Sequence, residues 1–279
     1  NPIVRIGGVS IFFGFNFAFL IFYFLDKILF FGNNQLFQSN NFLLPFSLCS
    51  FGFFLIGLFD DIFNLNPFFR LFFQFLISIF FWKFALSLEH IPFFNFSNNQ
   101  QFSNIADILS LLLSIIWLVG VTNSINWFDG LDGLAVGLSF ITSIGFIVLS
   151  FSNYNYISGF LSIILAGSCL GFFLRNLYPA SILMGDSGSY FLGFQLSTLS
   201  LLTTQSFINS NQSLDFNIYD LFFAICLLII PLTDMTFVIF NRISNGKSPF
   251  FGDKTHIHHR LLNLGFSHSK AVNIILLTT

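Results

Sequence analysis

The chain has 279 residues, 55% of them hydrophobic and only 8% charged, and 47 are phenylalanine. A soluble domain carries about a quarter charged residues, so this composition excludes a soluble globular protein. It predicts an all-α polytopic integral membrane protein embedded in a lipid bilayer. The formal net charge of −2 comes from too few residues to point to a charged partner, and no nucleic-acid partner is expected.

Apolar runs of spanning length begin near Ser10, Asn41, Phe68, Ile105, Leu134, Tyr156, Ser189 and Ile218, and a further run begins near Ala271. That predicts eight to nine transmembrane helices, each close to the roughly 20 residues a bilayer needs, in a single domain over 1–279. Cys49, Cys169 and Cys226 each lie inside an apolar run without a CxxC partner and read as small buried hydrophobes. The sequence starts at Asn1 rather than Met and stops shortly into an apolar run, which reads as a fragment at both ends.

The connections between these runs fall into two sets. One set, with its adjoining helix ends, holds Arg5, Arg70, Arg175, Arg242, Lys247, Lys254, Arg260 and Lys270. The other set, GNNQLFQSNN, EHIPFFNFSNNQQFSN, SNYNY and QSFINSNQSLDFN, has no Lys or Arg. Lys27 and Lys83 sit near helix ends on that second side, where their long stems can snorkel. Excess Lys and Arg marks the cytoplasmic side, so the first set is expected to be cytoplasmic. The polar clusters GLFDDIFN, NSINWFDGLDGLA, MGDSGSYFLG and KTHIHHR all fall in that set, which predicts one shared site on that face.

Each cluster suits part of a phosphate chemistry. Asp60 and Asp61 end a helix, where the dipole disfavours carboxylates and a cation would offset them; a solvated helix end is the plain alternative. Asn123, Asn126, Asp129 and Asp132 recur every third residue, and on a helix they share a face. Gly130 and Gly133 would allow close approach of a ligand. One helix cap needs one such residue, not four. In MGDSGS, Asp186 lies in a small-residue turn before a helix whose first amides attract anions; an Asx-turn cap is the alternative. His256, His258, His259 and Arg260 lie in a loop that also carries Lys247, Asp253 and Lys254. No partner stands at zinc-ligand spacing, so recognition of a phosphate or sugar fits better than zinc, with a solvated basic loop as the alternative. Hard carboxylate oxygens point to Mg²⁺, with Mn²⁺ as a substitute, shared with substrate phosphates. Asp234 lies inside an apolar run, where a carboxyl is either functional or paired to a neighbouring helix.

Taken in order, RIGG (Arg5–Gly8), FDD (Phe59–Asp61), NSINWFDGLDGLA, MGDSGSYFLG, PLTD (Pro231–Asp234) and HIHHRLLNLGFS resemble the motifs of the polyprenyl-phosphate N-acetylhexosamine-1-phosphate transferases. That superfamily includes the phospho-N-acetylmuramoyl-pentapeptide translocase. The resemblance implies a bacterial cytoplasmic-membrane enzyme with a cytoplasmic active site, here a fragment of a family fold of about ten to eleven helices. Such an enzyme transfers N-acetylhexosamine-1-phosphate, GlcNAc-1-phosphate by this reading, from a UDP-N-acetylhexosamine to undecaprenyl phosphate. It releases UMP and requires Mg²⁺. By the same resemblance Asp186 would bind the metal, with Asp129 beside it. Asp60 and Asp61 would deprotonate or position the lipid phosphate. Asn123, Asn126, Asp129 and Asp132 would lie near the nucleotide and metal, and His256, His258, His259 and Arg260 would recognise the donor. HIHHR followed by LLNLGFS looks more like the simple N-acetylhexosamine branch than the pentapeptide branch. Val4 replaces the family's Pro before RIGG. Leu183 stands where many members carry an aromatic residue that would stack on uracil. A homodimer is compatible with the resemblance.

The rival within the same chemistry is the pentapeptide translocase. A rival of another class is a secondary transporter, which places ionisable residues near the bilayer midplane; five of the six highlighted aspartates lie instead at the membrane border. A scaffold protein would explain the helices but not four polar clusters on one face.

Overall fold

The computed structural model describes residues 5–29, 40–85, 100–206, 215–216, 218–248 and 255–279. Most of the Lys- and Arg-free loops, together with Asp253, Lys254 and the side chain of Lys27, lie outside the described residues. The fold is helical: α1 (Gly7–Leu29), α2 (Asn40–Phe63), α3 (Pro67–Phe84), α4 (Gln100–Phe128), α5 (Leu134–Ser152), α6 (Tyr156–Asn176), α7 (Gly185–Leu202), α8 (Ile218–Leu227), α9 (Ile229–Ser244), α10 (Ile257–Asn263) and α11 (His268–Thr278). The described strand content is one two-residue antiparallel pairing, Gln205–Ser206 with Asp215–Phe216.

Among the described residues six helices, α1 to α6, are long and apolar enough to cross a membrane, and α8 with α9 makes a seventh if the bent pair counts as one span. The chain is thus a multi-pass membrane protein. The difference from eight to nine spans has two sources. The helix α11 is short. The helix α7 is rich in Ser, Gly, Thr and Gln, so its composition does not read as lipid-facing, and nearly all of its residues are buried. It forms the axis of the bundle, packed mainly on α2 and α4 and also on α1, α5, α6 and α8, while α3 packs on α2 and α4. The outer helices turn Phe13, Phe17, Phe72 and Phe75 outward. In a bilayer such a surface meets acyl chains, with no hydrophobic driving force for burying it.

Local chemistry sets the helix ends. Asn66 caps α3 by accepting from the Phe68 N–H at 3.0 Å, and Pro67 occupies the first helical position, where its missing N–H costs nothing. The α8–α9 pair bends by 68°. Pro231, in the first turn of α9, cannot hydrogen-bond back to Leu227. The carbonyl freed at Leu227 instead accepts the Thr142 hydroxyl of α5 at 3.3 Å. Where α1 meets α7 the backbones touch: a Cβ on Gly8 would lie 2.1 Å from the Gly188 nitrogen. Only glycine fits this crossing, which brings the start of α1 onto the start of α7.

Candidate active site

The polar clusters meet at one end of the bundle, where α2, α4 and α6 finish and α3, α5 and α7 begin. Asp60 and Asp61 close α2 and do different things. Asp60 is only 4% exposed. It accepts the Leu65 N–H at 2.8 Å and forms an ion pair with Arg70 of α3. The cation expected to offset the helix end is therefore, for Asp60, one of the protein's own. Asp61 points to α7: Oδ1 accepts the Asp186 N–H at 2.8 Å and Oδ2 the Ser187 N–H at 2.9 Å. These are the amides a cap residue would normally take, and α7 has no side-chain cap from its own chain segment. The anion expected at the start of α7 is thus Asp61, because α2 delivers a carboxylate there. Arg5–Gly8 completes the junction, with the Gly7 and Gly8 N–H groups donating to the Leu183 and Met184 carbonyls at 3.0 and 2.8 Å.

The second cluster divides at Phe128, where α4 ends. Asn126, on the helix, donates to Asp186 Oδ1 at 2.7 Å and to the Ser189 hydroxyl at 2.8 Å. Asn123, one turn earlier, donates to Gln74 of α3 at 2.7 Å. Asp129 and Asp132 are carried by the following turn rather than by the helix. The Asp132 Oδ2 accepts the Ala180 N–H at 3.0 Å, and its backbone N–H donates to His268 Nε2 at 3.3 Å. Asn176 closes the turn by accepting the Gly133 N–H at 3.0 Å.

The histidine cluster reaches the same place through Asp234. Its two oxygens hold the Ile257 N–H at 2.7 Å and His256 Nδ1 at 2.8 Å, so a carboxylate of α9 fixes the start of α10. His258 is 1% exposed and packs on the FDGLDG turn. A Cβ on Gly130 would come within 2.1 Å of its Nε2. Burial pushes the His258 imidazole down to about 4, the neighbouring His259 and His256 add to this, and Asp234 opposes it, so His258 is neutral near pH 7. Arg260 instead lies over the Phe237 ring of α9, 5.1 Å from its centroid.

Two hollows adjoin here. The first, of about 350 Å³, is lined by Asp61, Asp129, Asp132 and Asp186 together with Arg5 and Asn176. Asp129 stands in the turn outside the spans. Burial first, then the like charges of Asp186, Asp61 and Asp132, push its carboxyl from 3.8 up to about 7. The second hollow, of about 280 Å³, lies between α3, α4 and α9 and is largely apolar. Leu71, Val119, Met235 and Ile239 line it, with Arg70, Asn123 and Tyr190 at its polar end. The Asp60–Arg70 pair links the two: Arg70 lines the apolar hollow beside Tyr190, and its partner Asp60 is the chain neighbour of Asp61 in the acidic one.

Among the described residues no three carboxylate, imidazole or thiol groups converge as a complete metal cage. Mg²⁺ does not need one, since it usually takes one or two carboxylates and completes its shell with waters and substrate phosphates. Asp129 and Asp186 fit that pattern. Both are hard oxygen donors on one cavity wall, and Asp129 carries a raised affinity for protons that a divalent cation would relieve.

Several residues here escaped the sequence reading. Arg70 carried a signal, a lone cation within FFRLFFQF, since an intramembrane charge calls for a partner. Asn176, Tyr190 and His268 carried none, because only the folded chain brings them to the carboxylates.

The profile of glycosyl transferase family 4 matches residues 43–204. A Bacillus subtilis (strain 168) protein named a probable undecaprenyl-phosphate N-acetylglucosaminyl 1-phosphate transferase is 41% identical over 165 residues, covering 59% of this chain and 44% of that protein. A decaprenyl-phosphate N-acetylglucosaminephosphotransferase of Mycobacterium leprae (strain TN) is 37% identical over 180 residues, 60% of this chain and 45% of its own length. A phospho-N-acetylmuramoyl-pentapeptide-transferase of Prochlorococcus marinus subsp. pastoris is 32% identical over 253 residues, 86% of this chain and 67% of that protein. The matched part of the chain spans less than half the length of the first two.

Proposed function

This chain belongs to glycosyl transferase family 4, and from that premise we propose that it moves N-acetylglucosamine-1-phosphate from its UDP-sugar to a polyprenyl phosphate, undecaprenyl phosphate by choice. The observation that carries the proposal is the meeting of a carboxylate-lined cavity with an apolar groove at Asp60 and Arg70. One substrate is soluble and carries a pyrophosphate. The other is an anion on an isoprenoid tail. A polar hollow beside a lipid-compatible groove suits that pair, and the names of the relatives agree.

The groove between α3, α4 and α9 would hold the first isoprene units, with Arg70 and Asn123 near the lipid phosphate. A lipid phosphate oxygen attacks the sugar-bearing phosphorus. A new P–O–P link forms, the bond to the other phosphate breaks, and UMP leaves. Phosphoryl transfer of this kind is governed by positioning and charge compensation, so direct attack needs no covalent enzyme intermediate. Asp129 and Asp186 would hold Mg²⁺, which when bound supplies positive charge to the pyrophosphate. Asp61 and Asn126 fix the backbone and side chain of Asp186. Neutral His258, packed on Gly130, would give a hydrogen bond to the donor. The Lys and Arg distribution and the need for a nucleotide-sugar pool support the reading that this end faces the cytoplasm of a bacterial inner membrane.

The test is UMP release by membranes carrying the chain, with undecaprenyl phosphate, Mg²⁺ and a panel of UDP-sugars. Release with UDP-N-acetylglucosamine supports the proposal. Release only with UDP-N-acetylmuramoyl-pentapeptide assigns the chain to the pentapeptide reaction, towards which the broader match leans. No release with any UDP-sugar overturns the reading.

A further inference from the structure

The imidazole of His268 and the ring of Tyr178 stack at 4.3 Å between centroids, 21° from parallel. His268 starts α11, and Tyr178 lies in the connection between α6 and α7, so the pair joins two segments far apart in sequence. Both contacts lead to Asp132. Its backbone N–H donates to His268 Nε2, and its Oδ2 accepts from Ala180, two residues beyond Tyr178. The circuit is closed: Asp132 to His268, His268 to Tyr178, and the Tyr178 segment back to Asp132. An Nε2 that accepts must carry no proton, so the ring proton sits on Nδ1. Among the described residues that Nδ1 is buried without a partner, so the structure retains an uncompensated donor in order to present Nε2 to Asp132. Such a cost calls for an explanation. A turn residue held at both its backbone and its side chain, in the wall of the acidic cavity, supplies one.

We propose that His268, stacked on Tyr178, is a positioning residue for the soluble substrate, acting through Asp132. The inference rests on the transfer reading above and deepens it by naming what sets donor affinity. The circuit lies outside the spans, and neither Asp132, Tyr178 nor His268 lines the apolar groove that Arg70 borders. Its loss therefore affects the nucleotide-sugar and spares the lipid.

The experiment uses the full chain in nanodiscs, with UMP release measured against UDP-N-acetylglucosamine at saturating lipid phosphate and against the lipid at saturating donor. Equilibrium binding of UDP alone is measured in parallel. His268→Ala should raise the donor KM and the UDP Kd about ten-fold, with the lipid KM within about two-fold of wild type. His268→Gln, whose Oε1 can accept where Nε2 did, should recover most of the donor affinity, which a merely structural role would not produce. Tyr178→Ala should resemble His268→Ala. A wild-type donor KM in His268→Ala, an equal rise in both KM values, or a His268→Gln no better than alanine overturns the inference while wild-type activity leaves the transfer reading intact. If His268→Ala does not fold, the glutamine and Tyr178→Ala variants decide by the same readouts. A wild-type chain that neither releases UMP nor binds UDP overturns the transfer reading, and this inference with it.

Discussion

Asp61 caps a helix 125 residues away: its carboxylate accepts the backbone N–H of Asp186 at 2.8 Å, with Ser187 beside it. The end of α2 and the start of α7 are thereby one unit, and the aspartate assigned to the metal is held in place by an aspartate of the FDD motif. Asp61→Ala leaves two amides without acceptors and should cost about 2 kcal/mol, against about 1 for Asp61→Asn, which keeps one acceptor oxygen. Thermal unfolding in detergent reads this directly. An alanine variant as stable as wild type would show that the carboxylate does not hold α7.

Gly130→Ala places a methyl group 2.1 Å from His258 Nε2, and His258 is hemmed in by the rings of His256, His259 and Phe128. Overpacking of this kind costs about 1–3 kcal/mol, which if realised in the transition state is roughly a ten- to hundred-fold fall in kcat/KM for the donor. The Gly130→Ala/His258→Ala double variant should lose less than the two single losses combined, because residues in contact are not additive. Full additivity would mean that the two do not meet.

Most of the class was legible in the sequence, and the reasons are physical. A charged fraction this low leaves no soluble alternative, and apolar runs separated by short polar clusters fix the alternation of helix ends. Gathering FDD, NSINWFDGLDG, MGDSGS and HIHHR at one end followed from counting runs. The division of labour within each cluster was not legible. Asp60 and Asp61 are identical neighbours, yet one faces Arg70 and the other α7, because adjacent positions on a helix point about 100° apart. Asp234 read as an isolated intramembrane acid, since its partner His256 lies 22 residues later in the sequence. The helix α7 hid its role in its composition. A helix surrounded by others is selected for small side chains, so it does not resemble a lipid-facing span.

Asp234→Ala should release α10 from α9. Two hydrogen bonds are lost, and the part-buried Ile257 N–H and the buried His256 ring lose their acceptor, at about 1–3 kcal/mol. Limited proteolysis should then cut between Ser244 and His256 faster than in wild type, and donor KM should rise more than lipid KM. Asp234→Asn, which retains the oxygen that caps Ile257, should fall between. Unchanged proteolysis of the alanine variant would remove Asp234 from this anchoring role.

The Asp129 carboxyl is pushed from 3.8 up to about 7. A raised value means that the folded chain binds this proton more tightly than the unfolded chain. The contribution to stability is fully present below the ordinary carboxylate range and is lost as pH rises through about 7. Without divalent cations, the midpoint of thermal unfolding should fall between roughly pH 4 and pH 7, and Asp129→Asn should flatten that fall. Added Mg²⁺ should restore the wild type most at the upper end of the window and the asparagine variant least. Parallel curves for the two proteins would contradict both the electrostatics and the metal assignment.

The central claim is that the acidic cavity passes a sugar and its attached phosphate together onto a lipid. The direct measurement follows label from UDP-N-acetylglucosamine carrying it in the sugar-linked phosphate, in wild type and in Asp186→Asn. With wild type the label should move into the organic phase with undecaprenyl phosphate while unlabelled UMP stays in water. With Asp186→Asn, folded in the same membranes, it should stay in water, since losing a metal-bound charge forfeits several kcal/mol of transition-state stabilisation. Label left in water as UDP while sugar reaches the lipid, or undiminished transfer by Asp186→Asn at saturating Mg²⁺, would contradict the account.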